Sequence, residues 1–161
     1  MRDYAIKVDI AATPGRVWEV MADGERWVEW TPSVTRVEIY DKPLRVGSRA
    51  LIEQPKLPPG KFKVTALDPG KSFTWANGMP GIVYRHAHHS VEAAPVGARV
   101  TLSLHFSGLL GGVMAGRMKD LINEYLAMEA AGLKRFCEEG PRPPNTPLAE
   151  WNAEAVKRLN R

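Results

Sequence analysis

Residues 83–139 read VYRHAHHSVEAAPVGARVTLSLHFSGLLGGVMAGRMKDLINEYLAMEAAGLKRFCEE, and the hydrophobic period changes once within them. From Val83 to Ala93 and from Ala98 to Ser107 the chain alternates, the signature of half-buried strands, with Pro95-Val96-Gly97 between them as a turn. Setting Ala93 opposite Ala98 pairs Glu92 with Arg99, a favourable opposite-charge pair, and then Val91 with Val100, His89 with Leu102 and His86 with His105. One face carries Val83, Arg85, Ala87, His89 and Val91 with Val100, Leu102, Leu104 and Phe106. The opposite face carries His86, His88, Ser90, Thr101, Ser103 and His105. The apolar face is the core face, so Arg85 and His89 point inward. Beyond Ser107 the spacing becomes helical: Leu110, Met114, Met118, Leu121, Ile122, Tyr125, Met128, Leu133 and Phe136 recur three or four residues apart. This predicts one long amphipathic helix over Gly112–Glu139.

Upstream, Tyr4, Ile6, Val8 and Ile10 alternate with Ala5, Lys7 and Asp9, which predicts a first strand. Thr13-Pro14 is a hydroxyl cap followed by proline at the first helical position, and Asp23-Gly24 ends that helix. A second short helix runs from Glu25 to Trp30 and is closed by Pro32. Strands then follow at Val34–Tyr40, Arg49–Gln54, Phe62–Leu67 and Ser72–Asn77, separated by Pro- and Gly-containing breaks. The pattern is α+β: a curved, seven-stranded antiparallel sheet wrapped around a long C-terminal helix, with two short helices between strands 1 and 2. A sheet that bends this strongly leaves space under the helix, and such space is a pocket.

Composition narrows the function classes. The chain has 161 residues, enough for one domain, with 44% hydrophobic and 25% charged residues, which excludes a disordered or collagen-like chain. Cys137 is the single cysteine, so no internal disulfide forms. Lys and Arg number 22 against 18 Asp and Glu, a net +4 that is scattered, so nucleic acid is not an expected partner. The N-terminal stretch alternates and carries acids, unlike a secretory leader. The longest nearly apolar run, Gly108 to Gly116, is about half a bilayer span. The expectation is a cytoplasmic protein without stable membrane insertion.

The order of elements, together with several local stretches, resembles the START-like (SRPBCC) superfamily, specifically its polyketide cyclase/dehydrase and lipid-transport group of helix-grip proteins. The stretches are TPGRVW (13–18), WVEW (27–30), QPKLP (54–58), FTW (73–75), HSVE (89–92) and GLLG (108–111) leading into the long helix. The resemblance spans roughly Tyr4 to Glu139, which makes 1–139 the helix-grip domain and 140–161 a Pro-rich spacer with a short amphipathic helix. It implies the helix-grip fold, and it permits carriers and enzymes alike.

Motif chemistry is sparse. Gly111–Met118 imitates a phosphate loop but has Arg117 and Met118 where that loop needs Lys and Ser or Thr, so no nucleotide is expected there. His86, His88 and His105 cluster on the outer face and could hold zinc or nickel. Without a fourth ligand they are read as a tolerated surface cluster, and no metal or cofactor is expected. Inside, Arg85 and His89 are read as holding the polar head of an amphipathic ligand. Phe73, Trp75, Phe106, Met118, Ile122 and Tyr125 surround its body, and Trp27, Trp30 and Met21 lie at the mouth. The competing reading of Arg85 is a pair with a protein carboxylate. Among acids only Glu53 has an arguable inward place, so carriage of a hydrophobic small molecule is favoured. The alternative is a polyketide cyclase/dehydrase-type enzyme with His89 as general base. A protein-interaction module is a third reading. In the tail, Thr146-Pro147 starts a helix to about Leu159, expected to dock through Trp151 on its own domain or on a second copy as a homodimer.

Overall fold

The computed structural model describes residues 2–161. Its elements run β1 (Arg2–Ile10), α1 (Pro14–Ala22), a 3-10 helix (Gly24–Glu29), β2 (Arg36–Ile39), β3 (Arg49–Glu53), β4 (Gly60–Asp68), β5 (Ser72–Met79), β6 (Val83–Ala94), β7 (Gly97–Ser107), α2 (Gly111–Arg117), α3 (Lys119–Glu139) and α4 (Leu148–Leu159). The seven strands form one antiparallel sheet in the order β1-β7-β6-β5-β4-β3-β2. This is the helix-grip arrangement, an open curved sheet closed by α3.

The β6–β7 ladder has the register that the alternation predicts, with Ala93 opposite Ala98, His89 opposite Leu102 and His86 opposite His105. Arg99 stands opposite Glu92 as expected and takes a second, closer carboxylate partner. Its guanidinium grips Asp9 on the other neighbouring strand, β1, through Nε at 2.7 Å and Nη2 at 3.1 Å. A central strand offers each side chain two flanking strands, and here the bidentate geometry with β1 wins.

The α1 start is as expected: the Thr13 hydroxyl accepts from the Arg16 N–H at 3.2 Å, with Pro14 next. The second short helix is a 3-10 turn. The predicted single helix over Gly112–Glu139 is in fact two, α2 and α3, parted at Met118. Glycines at 111, 112 and 116 weaken helical propensity, and Gly111 lets α2 lie close on β7, where a Cβ would be 3.3 Å from the Phe106 carbonyl carbon. The corner before α2 turns on Gly108 at φ +93°, whose missing Cβ would otherwise strike the Ile82 backbone. Two bonds then pin the helices to β1: Tyr4 Oη donates to Ala115 O at 2.8 Å, and Lys134 Nζ donates to Asp9 O at 2.6 Å.

The tail folds back. Trp151, Asn152 and Ala155 of α4 are buried against α3. Arg135 lies 4.9 Å over the Trp151 ring and donates from Nη1 to the Trp151 carbonyl at 2.8 Å. Asn152 Nδ2 donates to both Trp30 O (3.2 Å) and Met128 O (2.9 Å), tying α4 to the segment after the 3-10 helix and to α3. Trp151 therefore docks within its own chain.

Candidate functional site

Between the concave sheet face and α3 lies a mostly apolar cavity. Its volume is about 90 Å³, several times the roughly 10–15 Å³ that one water needs. Seven of the eleven residues singled out from the sequence line it. The sheet side and the 3-10 helix supply Trp27, Trp75, Arg85 and His89, and the helix side supplies Met118, Ile122 and Tyr125. The other four do not. Phe73 and Phe106 are fully buried behind the wall, and Trp30 is buried on the far side of the 3-10 helix, facing a polar surface cleft with Phe136 and Arg26. An aromatic ring on an inner face fills core or cavity equally well, and spacing alone does not separate the two roles. Met21, expected at the mouth, is buried core as well.

His89 is 5% exposed and stacks face to face on Phe73 at 4.4 Å between centroids, with Trp27 at 5.3 Å. Its Nδ1 has no hydrogen-bond partner. Burial pushes its pKa down to about 3, with the neighbouring His88 adding to the effect, so the ring is neutral at physiological pH. His88 itself points outward, its Nδ1 2.7 Å from Thr74 Oγ1.

Arg85 has no carboxylate within ion-pair distance among the described residues. Its Nε donates to Asn77 Oδ1 at 2.7 Å, and the guanidinium lies 5.8 Å from the Phe62 ring centroid. Burial alone lowers its pKa. The expected alternative, a pair with a protein acid, is therefore not made.

The inward acid is not Glu53, which lies on β3 with its carboxylate 3.7 Å from Arg36 near the surface. It is Glu129, on α3. Glu129 lines the cavity and accepts from Ser33 Oγ at 3.0 Å, and Ser33 Oγ is 2.8 Å from Thr31 Oγ1. Both hydroxyl residues are fully buried. The carboxyl touches the cavity space yet is enclosed by protein, and this burial raises its pKa to about 7 against the opposing pull of Ser33. The signal was present in the sequence: residues 118, 122, 125 and 129 share one helical face, and the three others were already assigned inward. Tyr125 completes the polar set, its hydroxyl donating to Pro55 O. On the outer face, His86 and His105 lie 5.7 Å apart between ring centroids, and His105 pairs with Asp3; among the described residues no cluster has metal-binding geometry.

The raised Glu129 pKa fixes a sign. The folded state holds the proton more tightly than the unfolded state does, so the associated stability is complete below the usual 4.5 and is lost as pH rises through about 7. Glu129→Gln keeps the shape and removes the ionisation. Relative to the parent it is expected to be unchanged near pH 4 and more stable at pH 8.5 by about 2 kcal/mol, given about 1.4 kcal/mol per pKa unit and a discount for water in the cavity. Urea unfolding of both proteins at the two pH values measures this, and equal differences at both would remove Glu129 from the account.

Comparison with known proteins bears on the family. A sequence profile for polyketide cyclase / dehydrase and lipid transport matches residues 1–138. No curated protein matches the chain. Among solved structures, the protein XoxI from Bacillus cereus superposes with a TM-score of 0.69 at 13% identity, covering 85% of this chain and 96% of that one. The di-domain ARO/CYC StfQ from the steffimycin biosynthetic pathway gives 0.68 at 13% identity over 85% of this chain, which spans only half of StfQ. Ara h 8.0201 gives 0.59 at 15% identity, covering 82% of this chain and 97% of that one. At these identities the structures share the fold, while the profile extends over most of the sequence up to the end of α3: the chain belongs to the polyketide cyclase / dehydrase and lipid transport family.

Proposed function

We propose that this protein binds and carries a hydrophobic or amphipathic small molecule in the cavity between the sheet and α3. The observation that carries the reading is the cavity itself: an apolar space that side chains leave unfilled, walled by Trp27, Trp75, Leu102, Leu104 and Ile122. Close packing is the rule in protein interiors, and leaving such a space open sacrifices dispersion contacts along its lining. A ligand of matching chemistry restores them. The polar groups are few and spaced apart, which suits orientation of a bound molecule.

Ala87 sits between Arg85 and His89 on the cavity wall. Ala87→Phe is expected to fill the space and weaken binding of 1-decanol, measured by calorimetry, by roughly tenfold or more through steric exclusion, with the melting temperature little changed. Leu104→Trp is a second filling variant for the case where the first does not fold. Unchanged 1-decanol affinity in a folded, filled variant contradicts the reading.

One observation favours the enzyme reading as a second choice. Glu129, with a pKa near 7 inside an apolar cavity, is tuned for proton transfer, which His89 at about 3 is not. In that reading Glu129 takes the role expected of His89. Turnover of polyketide-like substrates that disappears in Glu129→Gln would favour it over carriage.

A further inference from the structure

We propose that the ligand is a monocarboxylic acid whose carboxylate is held by Arg85, an assignment that rests on the carrier reading above. Four observations converge on it. Arg85 reaches the cavity from β6 and is half-buried, where a guanidinium retains its charge. It has one protein hydrogen bond, through Nε to Asn77 Oδ1, and this fixes the plane of the head while leaving both terminal amino groups without a protein partner. No described carboxylate lies within 4.0 Å of it, although Glu129 lines the same cavity and is engaged with Ser33 instead. The Phe62 ring offers its face to the guanidinium, 5.8 Å from the ring centroid.

A cation half withdrawn from solvent without a counter-charge gains from one, and the fork of a guanidinium matches the two oxygens of a carboxylate. The charge count narrows the class further. Arg85 is the sole Lys or Arg lining the cavity, His89 is neutral, and Glu129, its pKa raised to about 7, is mostly protonated at pH 6, so one negative charge is balanced there. A phosphate monoester brings close to two at neutral pH and would leave one unmatched in an apolar space. His89 lies four residues further along the same strand, roughly 13 Å away at 3.3 Å per residue, so the acid is held at one end and the apolar body extends toward Trp27 and Trp75.

The test uses three probes that share a chain and differ in the head: decanoic acid, 1-decanol and decylamine. They are titrated by calorimetry at pH 6.0, where Glu129 is mostly protonated and the decanoic acid head is ionised, into the parent, Arg85→Gln and Arg85→Lys. The parent is expected to bind decanoic acid at least roughly tenfold more tightly than 1-decanol and to reject decylamine. Arg85→Gln is expected to lose that preference, its affinities for decanoic acid and 1-decanol coming within about twofold of each other, and Arg85→Lys to retain part of it, because lysine keeps the charge but not the fork. Equal affinity for acid and alcohol in the parent, or an acid preference that survives Arg85→Gln, overturns the carboxylate assignment while leaving the carrier reading standing. Absence of binding by all three probes overturns both. Should Arg85→Gln not fold, the comparison of the probes on the parent and on Arg85→Lys still decides the matter.

Discussion

Gly132→Ala is expected to destabilise the protein by about 3 kcal/mol, at the upper end of what overpacking costs. In an exposed helix interior the same change would stabilise, since glycine there is worse than alanine by up to about 1 kcal/mol. Geometry reverses the sign. A Cβ on Gly132 would sit 1.9 Å from the Trp30 carbonyl oxygen, 3.0 Å from its carbon and 2.9 Å from Asn152 Nδ2. The obstacle is backbone, and the Trp30 oxygen is already committed to the Asn152 amide at 3.2 Å, so neither side gives way cheaply. α3 and the segment after the 3-10 helix would have to separate. That segment also carries Thr31 and Ser33, so the hydroxyl pair under Glu129 moves with it. Urea denaturation measures the change; a midpoint equal to or above the parent's would show that the contact is softer than the distances state.

Removing residues 141–161 is expected to cost a similar amount, about 3 kcal/mol, and to lower the melting temperature by roughly 10 °C for a chain of this size. Burial of a large side chain such as Trp151 contributes about 2–3 kcal/mol, and each of the Asn152 and Arg135 hydrogen bonds adds about 1 kcal/mol. The ordering of a twelve-residue helix, which would be marginal alone, offsets part of this. The family match covers residues 1–138, so α4 lies outside the matched residues, and through Asn152 it braces the segment after the 3-10 helix. An unchanged melting temperature after truncation would mean that the docking seen for Trp151 carries little energy.

Much of this architecture is legible in the residues. The switch from period two to helical spacing near Ser107 reveals the helix-grip layout, and the pairing of β6 with β7 follows from alternation and a short turn, because a one-residue slip would turn every apolar side chain outward. The break at Met118 is less visible, since the hydrophobic stripe continues through it while the backbone turns. The partner of Arg99 depends on which strand closes the sheet beside β7, a long-range fact that local pairing rules do not contain. The cavity divides the same way. Residues 85, 89, 118, 122 and 125 fall on inward faces by periodicity alone. Phe73 and Phe106 fall there too and yet are core, because sheet curvature, which no local pattern encodes, decides which inward ring meets the helix and which meets empty space. Glu129 is not legible as an inward group because a carboxylate sits on a buried face only with a hydrogen-bond partner, and its partner Ser33 is distant in sequence.

The central claim is occupancy of the cavity by an apolar small molecule. Its most direct test is to titrate decanoic acid into methyl-labelled protein and follow the methyl resonances by NMR. Saturable shifts are expected at Leu102, Leu104, Met118 and Ile122, which line the cavity. Leu109 and Val113, exposed on the outer surface near α2, are expected to stay in place. Shifts confined to those exposed methyls, or no saturable shift at the cavity positions, would contradict the account.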